Sequence, residues 1–296
     1  MKLKFIFLLI LLPSLVLSQG SSRSASSLKL PLTPFVAGTG EAFVADPTSL
    51  QSIIINPANI VSLKQYGILF SHTEWIQDIR TEFLSIAAPI SLGNLSLSIG
   101  NTSVDDIELR DVPGSPIGTF NSQSTFFQLT YGIELTETIK LGIAPKYLYE
   151  KIFVDEATGY GIDAGLLYIP PIENLIIGFS LTNYGSLAAF RKEQNDLPAQ
   201  IRLGGTYSFS FDEITFRTAA AFSSELGMAI NFLSLGGEAI FDNTITARLG
   251  YKAGYITRGL SAGIGIRYNI ANINYAYAPF SMQLGNAHII SIEFIL

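Results

Sequence analysis

Side chains able to carry acid–base or metal chemistry are few in this chain. Histidine occurs twice, at His72 and His288, and cysteine does not occur. Thiolate nucleophiles, disulfides and a lipid-attachment cysteine are therefore excluded. Ser71, His72 and Glu74 bring a hydroxyl, an imidazole and a carboxylate together in sequence, but their spacing is not that of a catalytic triad. Two imidazoles would meet if the strands carrying His72 and His288 were neighbours. A metal site would still need a carboxylate arranged with them, and the sequence shows none. Gly263 and Gly265 alternate with Ile264 and Ile266, and no glycine-rich phosphate loop follows a strand and opens a helix. The reading is non-enzymatic, with no catalytic residue, no cofactor and no metal.

One other stretch is chemically distinctive, "ADPTSLQSIIINPANI" over residues 45–60. Asp46-Pro47 and Asn56-Pro57 each place a side-chain acceptor just before a proline, which needs no backbone donor in a first helical turn. Between them Ile53, Ile54 and Ile55 need shelter from water. The elements that follow must supply it.

Residues 1–18 have the layout of a secretory signal: Lys2 and Lys4, an apolar run, then small residues before Gln19. The apolar part is too short for a spanning helix of about 20 residues. Removing Lys2 and Lys4 leaves 16 basic against 24 acidic residues, which disfavours nucleic acid as a partner. Yet 48% of the residues are hydrophobic and only 14% charged. An apolar, exported chain without spanning helices points to a closed β-barrel, because closure satisfies every strand's backbone in lipid.

The strand pattern agrees. In residues 138–150, Ile139, Leu141, Ile143, Pro145, Tyr147 and Tyr149 share one face, and Lys140, Gly142, Ala144, Lys146 and Glu150 the other. The chain yields fourteen such segments if residues 227–241 form one long strand with a bulge near Ser234, where the apolar parity changes. An even count suits a transmembrane barrel. Connections alternate between tight turns and longer loops, the longest at residues 105–121 and 184–197. Soluble sandwiches and lipocalin-like barrels alternate too. Strand charges such as Lys140, Lys146, Asp163, Arg202, Arg217, Arg248, Arg267 and Glu293 fall on the small-residue face, where a wet lumen would solvate them. Tyrosines lie near strand ends on the apolar face, as interfacial girdles do. The fold class is therefore all-β, a transmembrane antiparallel barrel of the bacterial outer membrane with a small N-terminal helical plug. The chain divides into a signal (1–18), a Ser-rich flexible lead and plug (19–62) and the barrel (63–296). Asp46, Pro47, Ile53, Ile54, Ile55, Asn56, Pro57 and Ala58 are the plug residues. A plainer alternative makes "INPA" only a capped turn leading into the first strand.

The order "GTGEAFVADPTSLQSIIINPANI", "GILFSHTEWIQDI" and "APISLGNLSLSIG" resembles the PorV/PorQ family of outer-membrane proteins, relatives of the long-chain fatty-acid transporter barrels. Gly40 to Ala45, Asp46 and Asn56 to Ala58 stand where that family has its "GEAFVA" block, an Asp and an "NPA" turn. The resemblance implies a fourteen-stranded barrel with an N-terminal hatch and an accessory role in type IX protein secretion. Its partners would be outer-membrane lipid and secretion-system proteins or their cargo, met at a loop containing Phe190, Arg191 and Lys192. The alternative is a passive transporter of small hydrophobic compounds gated by the plug. A wall kinked at Pro89, Pro145 or Ser234 would favour that alternative.

Overall fold

Period-two patterning commits one side of each strand to lipid and the other to the interior, so the chain closes on itself. The computed structural model describes residues 25–188, 195–228, 230–255 and 257–296. The signal reading of residues 1–18 and the loop residues Phe190, Arg191 and Lys192 lie outside them. The strands are β1 (Gly67–Glu74), β2 (Arg80–Ile90), β3 (Gly93–Leu109), β4 (Gly118–Thr136), β5 (Ile139–Ile152), β6 (Asp155–Tyr168), β7 (Leu175–Leu187), β8 (Asn195–Asp196), β9 (Gln200–Phe211), β10 (Ile214–Glu225), β11 (Ile230–Phe241), β12 (Ile245–Ala253), β13 (Leu260–Tyr268), β14 (Ala271–Pro279) and β15 (Asn286–Ile295). All pair antiparallel, and β1 closes on β15 from Gly67↔Ile295 to Glu74↔His288. Because β8 is a two-residue piece on the edge of β7, the wall is a closed fourteen-stranded barrel.

Short turns at residues 91–92, 137–138, 212–213, 242–244 and 269–270 share one end with the beginning of β1 and the end of β15. That end is the periplasmic one in barrels of this type. Leu97, Phe127, Leu249 and Ile264 stand exposed on the outer face, the apolar surface that lipid covers.

Four details depart from the sequence reading. Pairing of β11 with β10 and with β12 runs without a shift past Ser234, so there is no bulge there. The change of parity arises because Phe232 points inward, where it stacks on Tyr255 at 4.4 Å between ring centroids. The long loop over residues 105–121 is mostly strand: Ile107↔Phe120, Glu108↔Thr119 and Leu109↔Gly118 pair beyond a shift after Val104, leaving residues 110–117 as the tip. The flexible lead is packed from Ala25 onward, with Ser26–Lys29 in a 3-10 turn and Leu32 and Thr33 buried. Finally, the lumen solvates few of its charges, because residues 25–62 occupy much of it; of the eight named, Lys140 is half-buried and Arg267 stays exposed. Lys146, Asp163, Arg202, Arg217, Arg248 and Glu293 are all buried. Of the three positions named for a kink, Pro145 alone coincides with a gap: the β4–β5 ladder passes from Gln128↔Lys146 to Tyr131↔Ile143.

What lets a second chain segment lie against a barrel wall is bare backbone. Register places Gly132, Gly142 and Gly165 side by side on β4, β5 and β6, Gly178 beside Gly204, and Gly236 beside Gly250. A Cβ at Gly142 would fall on the backbone of Pro57 and Ala58, one at Gly165 on Asn56 Oδ1, and one at Gly250 on the backbone of Thr39 and Gly40. The luminal segment thus rests on a glycine belt. Gly142→Ala should leave the barrel able to fold, read as heat-modifiable migration on a gel, while the imposed overlap costs about 1–3 kcal/mol and makes the luminal segment more susceptible to protease. Native-like resistance would show that the belt is not required for this seating.

Candidate functional site

The luminal segment holds little regular structure: the helix α1 (Pro34–Gly38) and 3-10 turns at Leu50–Ser52 and Pro57–Ser62. Each of these three has a side-chain cap, whereas the turn at Ser26–Lys29 has none. Thr33 Oγ1 accepts from Val36 N, Ser49 Oγ from Gln51 N, and Asn56 Oδ1 from Ala58 N. Pro34 and Pro57 occupy the first positions, where a missing donor costs nothing. Such short turns have no cooperative stability of their own. The wall must hold them.

Apolar anchors do part of this. Ile53 packs in one cluster with Leu69, Phe83, Phe126 and Leu148 of the wall, and Ile55 in another with Phe35, Phe43 and Ala219; half-buried Ile54 touches both. Ala58 packs on Leu167. Asn56 Nδ2 donates to Val44 O at 2.8 Å and so joins the two halves of the segment. Asp46 N donates to Asn59 Oδ1, and Asp46 Oδ1 accepts from Thr48. Asp46-Pro47 opens no helix: Pro47 and Thr48 form a turn held by Asp46 Oδ1, and the 3-10 turn that follows starts at Leu50 with Ser49 as its cap. The "INPA" turn is therefore both the capped turn leading towards β1 and an interior contact.

Ion pairs do the rest. Arg217 of β10 binds both Asp46 of the segment and Glu238 of β11, and Glu238 also accepts from Arg248 at 2.8 Å. Arg217 and Arg248 lie over the rings of Phe43 and Phe35. A second anchor centres on Glu41, whose carboxylate meets Lys252 at 2.5 Å and Arg258 at 3.1 Å. Lys29 pairs with Glu225 at 3.0 Å, and Glu293 accepts from Leu50 N at 3.1 Å. Burial by itself would raise the Glu41 carboxyl; the cations Lys252, Arg258 and Arg202 outweigh it and hold its pKa at about 2. Burial, and then the Glu41 carboxylate, push the Tyr255 hydroxyl up to about 12, so it stays protonated.

The segment divides the lumen into two vestibules. A cavity of about 420 Å³ opens at the outer end, lined by Ser26, Leu30, Ile79, Val104, Ser124 and Glu150 among others. Another of about 400 Å³ opens at the periplasmic end, lined by Arg217, Arg248, Arg267, Glu238 and Glu293. Smaller voids lie along the segment, one of about 30 Å³ beside Arg202, Lys146 and Ile54 and one of about 10 Å³ beside Glu41, Lys252 and Arg258.

His72 and His288 lie on strands that are register neighbours but project away from the lumen. His72 Nδ1 is 2.6 Å from Glu82, and His288 Nδ1 is 2.8 Å from Tyr275 Oη. Ser71 is fully buried on the opposite side of β1, with its hydroxyl on Ile290 O. Among the described residues no group of three or more His, Cys, Asp or Glu could hold a metal ion. Sequence reasoning missed Glu41, Lys252, Arg258 and the Arg217–Glu238–Arg248 chain. The one available signal was Glu41 itself, a lone charge inside "GTGEAFVA".

No family profile matches the sequence, and no curated protein matches it. Solved structures do match. The CymD monoaromatic hydrocarbon channel is 12% identical over 90% of this chain and 97% of its own, with a TM-score of 0.60. The Pseudomonas putida toluene transporter TodX is 11% identical over 87% of this chain and 95% of its own, with a TM-score of 0.59. The fold is that of outer-membrane channels. The resemblance to the PorV/PorQ family finds no counterpart in these comparisons.

Two outcomes follow. Arg217→Met strands buried Asp46 without its cation and should cost about 3–5 kcal/mol, whereas Asp46→Asn should cost less because Arg217 keeps Glu238; thermal unfolding in detergent ranks the two, and the reverse order would refute the assignment. Because the Glu41 pKa is depressed, its stabilisation is present above the ordinary carboxyl value of 4.5 and is lost as pH falls through about 2. Protease resistance of the segment should therefore fall off between those values in wild type, and Glu41→Gln should remove that part of the pH dependence.

Proposed function

We propose that this protein is a passive outer-membrane channel for small hydrophobic compounds, with residues 25–62 as its gate. The observation that carries the reading is the separation of two vestibules of about 420 and 400 Å³ by one chain segment. That segment is held through side-chain contacts and is not built into the wall. The outer vestibule mixes apolar Leu30, Ile79, Val104 and Ile152 with the hydroxyls of Ser26, Ser27 and Ser122. Such a surface suits neutral or weakly polar molecules. The names of the neighbours, a monoaromatic hydrocarbon channel and a toluene transporter, support the same reading. The export role implied by the PorV/PorQ resemblance, with secretion-system proteins or cargo as partners, has no such support. Its contact residues, Phe190, Arg191 and Lys192, lie outside the described residues.

Ser27 Oγ and Ser124 Oγ are 2.8 Å apart, joining the outer end of the segment to β4. The chain has no cysteine, so Ser27→Cys with Ser124→Cys gives a single removable lock. Porin-deficient cells expressing the reduced variant should take up labelled toluene several-fold faster than cells lacking it, and oxidation should suppress that excess. Uptake no faster than in cells without the protein would sink the channel reading. Equal uptake in the oxidised and reduced states would sink the gate.

A further inference from the structure

The Glu41 anchor continues outward into a stack that reaches the cell surface. Arg258 binds Glu41 with one guanidinium nitrogen and lies between two rings, 5.2 Å from Trp75 and 4.8 Å from Tyr255. Tyr255 stacks on Phe232, and Lys252 lies against both of those rings. Trp75 meets Phe280 edge to face at 5.2 Å. These groups come from three outer connections. Trp75 begins the β1–β2 loop, Tyr255 and Arg258 belong to the β12–β13 loop, and Phe280 begins the β14–β15 loop. Backbone contacts tie the last two together, through a bridge of Arg258 with Phe280 and a bond from Ser281 N to Thr257 O.

The geometry of Glu41 is unusual in a way that serves this contact. Its φ is +63°, the left-handed region that a side chain other than glycine or asparagine rarely adopts, and Gly40 before it shares that value. Holding a non-glycine residue there is a strain that the surrounding contacts must offset. That turn aims a buried carboxylate at Lys252 and Arg258. Lys252 sits on a wall strand, but Arg258 sits on a surface loop. Of the two cations, Arg258 is the one carried by an outer loop.

We infer that Arg258 couples the outer loops to the luminal segment, so that a molecule engaging the Trp75–Arg258–Tyr255 stack loosens the hold on Glu41. The inference rests on the gate reading for its functional meaning, but the coupling itself is a property of the contacts. Coupling between two sites is reciprocal. Disturbing Glu41 must therefore disturb the loops as surely as disturbing the loops disturbs Glu41.

Trp75 is the only tryptophan in the chain and reports on the outer end without labelling. A cysteine at Ala37, on the luminal segment and buried in the cluster of Ala276 and Ala278 on which Trp75 and Phe280 also pack, reports on the segment side of the contact through its reactivity with a thiol reagent. The test uses the full chain in detergent, with heat-modifiable migration as the check on folding, and two variants. Arg258→Lys keeps the charge but loses the planar group between the rings; Glu41→Gln keeps the shape but loses the charge. Each should move both readouts, raising acrylamide quenching of Trp75 and the Ala37→Cys labelling rate by about 5-fold or more. If Arg258→Lys alters Trp75 while Ala37→Cys stays protected, the coupling is refuted. Labelling that rises in Glu41→Gln with Trp75 unmoved refutes it equally. Should Glu41→Gln fail to fold, Arg258→Lys decides alone. If both readouts move together while toluene uptake stays at its wild-type rate, the coupling stands and the gate reading falls.

Discussion

Everything inside this barrel depends on one contact, the seating of a chain segment directly on wall backbone. Fourteen strands enclose more space than their own side chains fill. That space must hold water, ligand or another part of the chain. Here register aligns glycines on neighbouring strands, and the luminal segment lies where their side chains would have been, with backbone at Thr39, Gly40, Val44, Pro57 and Ala58 and side chains at Asn56, Ile60 and Val61. The small-residue face that a wet lumen would have used is used for packing instead.

The electrostatics follow from that seating. A segment lying in the lumen removes water from the wall's charges, and each of these must then find a partner. Asp46, Glu41 and the Leu50 amide serve Arg217, Lys252 with Arg258, and Glu293 respectively. Buried pairs of this kind contribute little net stability, because their attraction is offset by desolvation, yet removal of one partner is costly. Apolar contacts of Ile53, Ile55 and Phe43 hold the segment as well, but its charges, unlike these, would regain water if it moved. Arg217 even keeps a carboxylate, Glu238, after Asp46 is gone.

Much of the barrel is visible in the sequence because its determinants are local. Alternation along β5, the tight turns at one end and the charges on the small face require only neighbouring residues to be compared. Asn56-Pro57 is local as well, a cap followed by a proline. The luminal anchors are not. Asp46 and Arg217 are 171 positions apart, and Glu41 and Arg258 are 217 apart; no period or spacing joins them. Phe232 misled for a related reason. Its aromatic ring belongs with the lipid-facing set by type, and only the stack with Tyr255 and Lys252 explains why it points inward. Pattern reading assigns faces by chemistry, so it fails where an interior is apolar and occupied.

The path of the segment limits how a gate made from it can work. Its described beginning, Ala25 to Lys29, lies at the outer rim beside Ser124, Glu150 and Glu225. Its end is fixed at the periplasmic rim, where Asn94 Nδ2 donates to the carbonyls of Ile60, Val61 and Leu63, and Lys140 holds Ser62. There the chain continues into β1 and cannot withdraw without breaking the wall. Movement must therefore begin from the outer end and proceed inward, past Glu41 first and Asp46 later. The anchors lie along that route in a definite order, with the surface-linked pair at Arg258 preceding the wholly internal one at Arg217. In the proposed channel, a compound arriving from outside would meet the described beginning of the segment at Ala25 before the end fixed at β1, which is the order that inward passage requires.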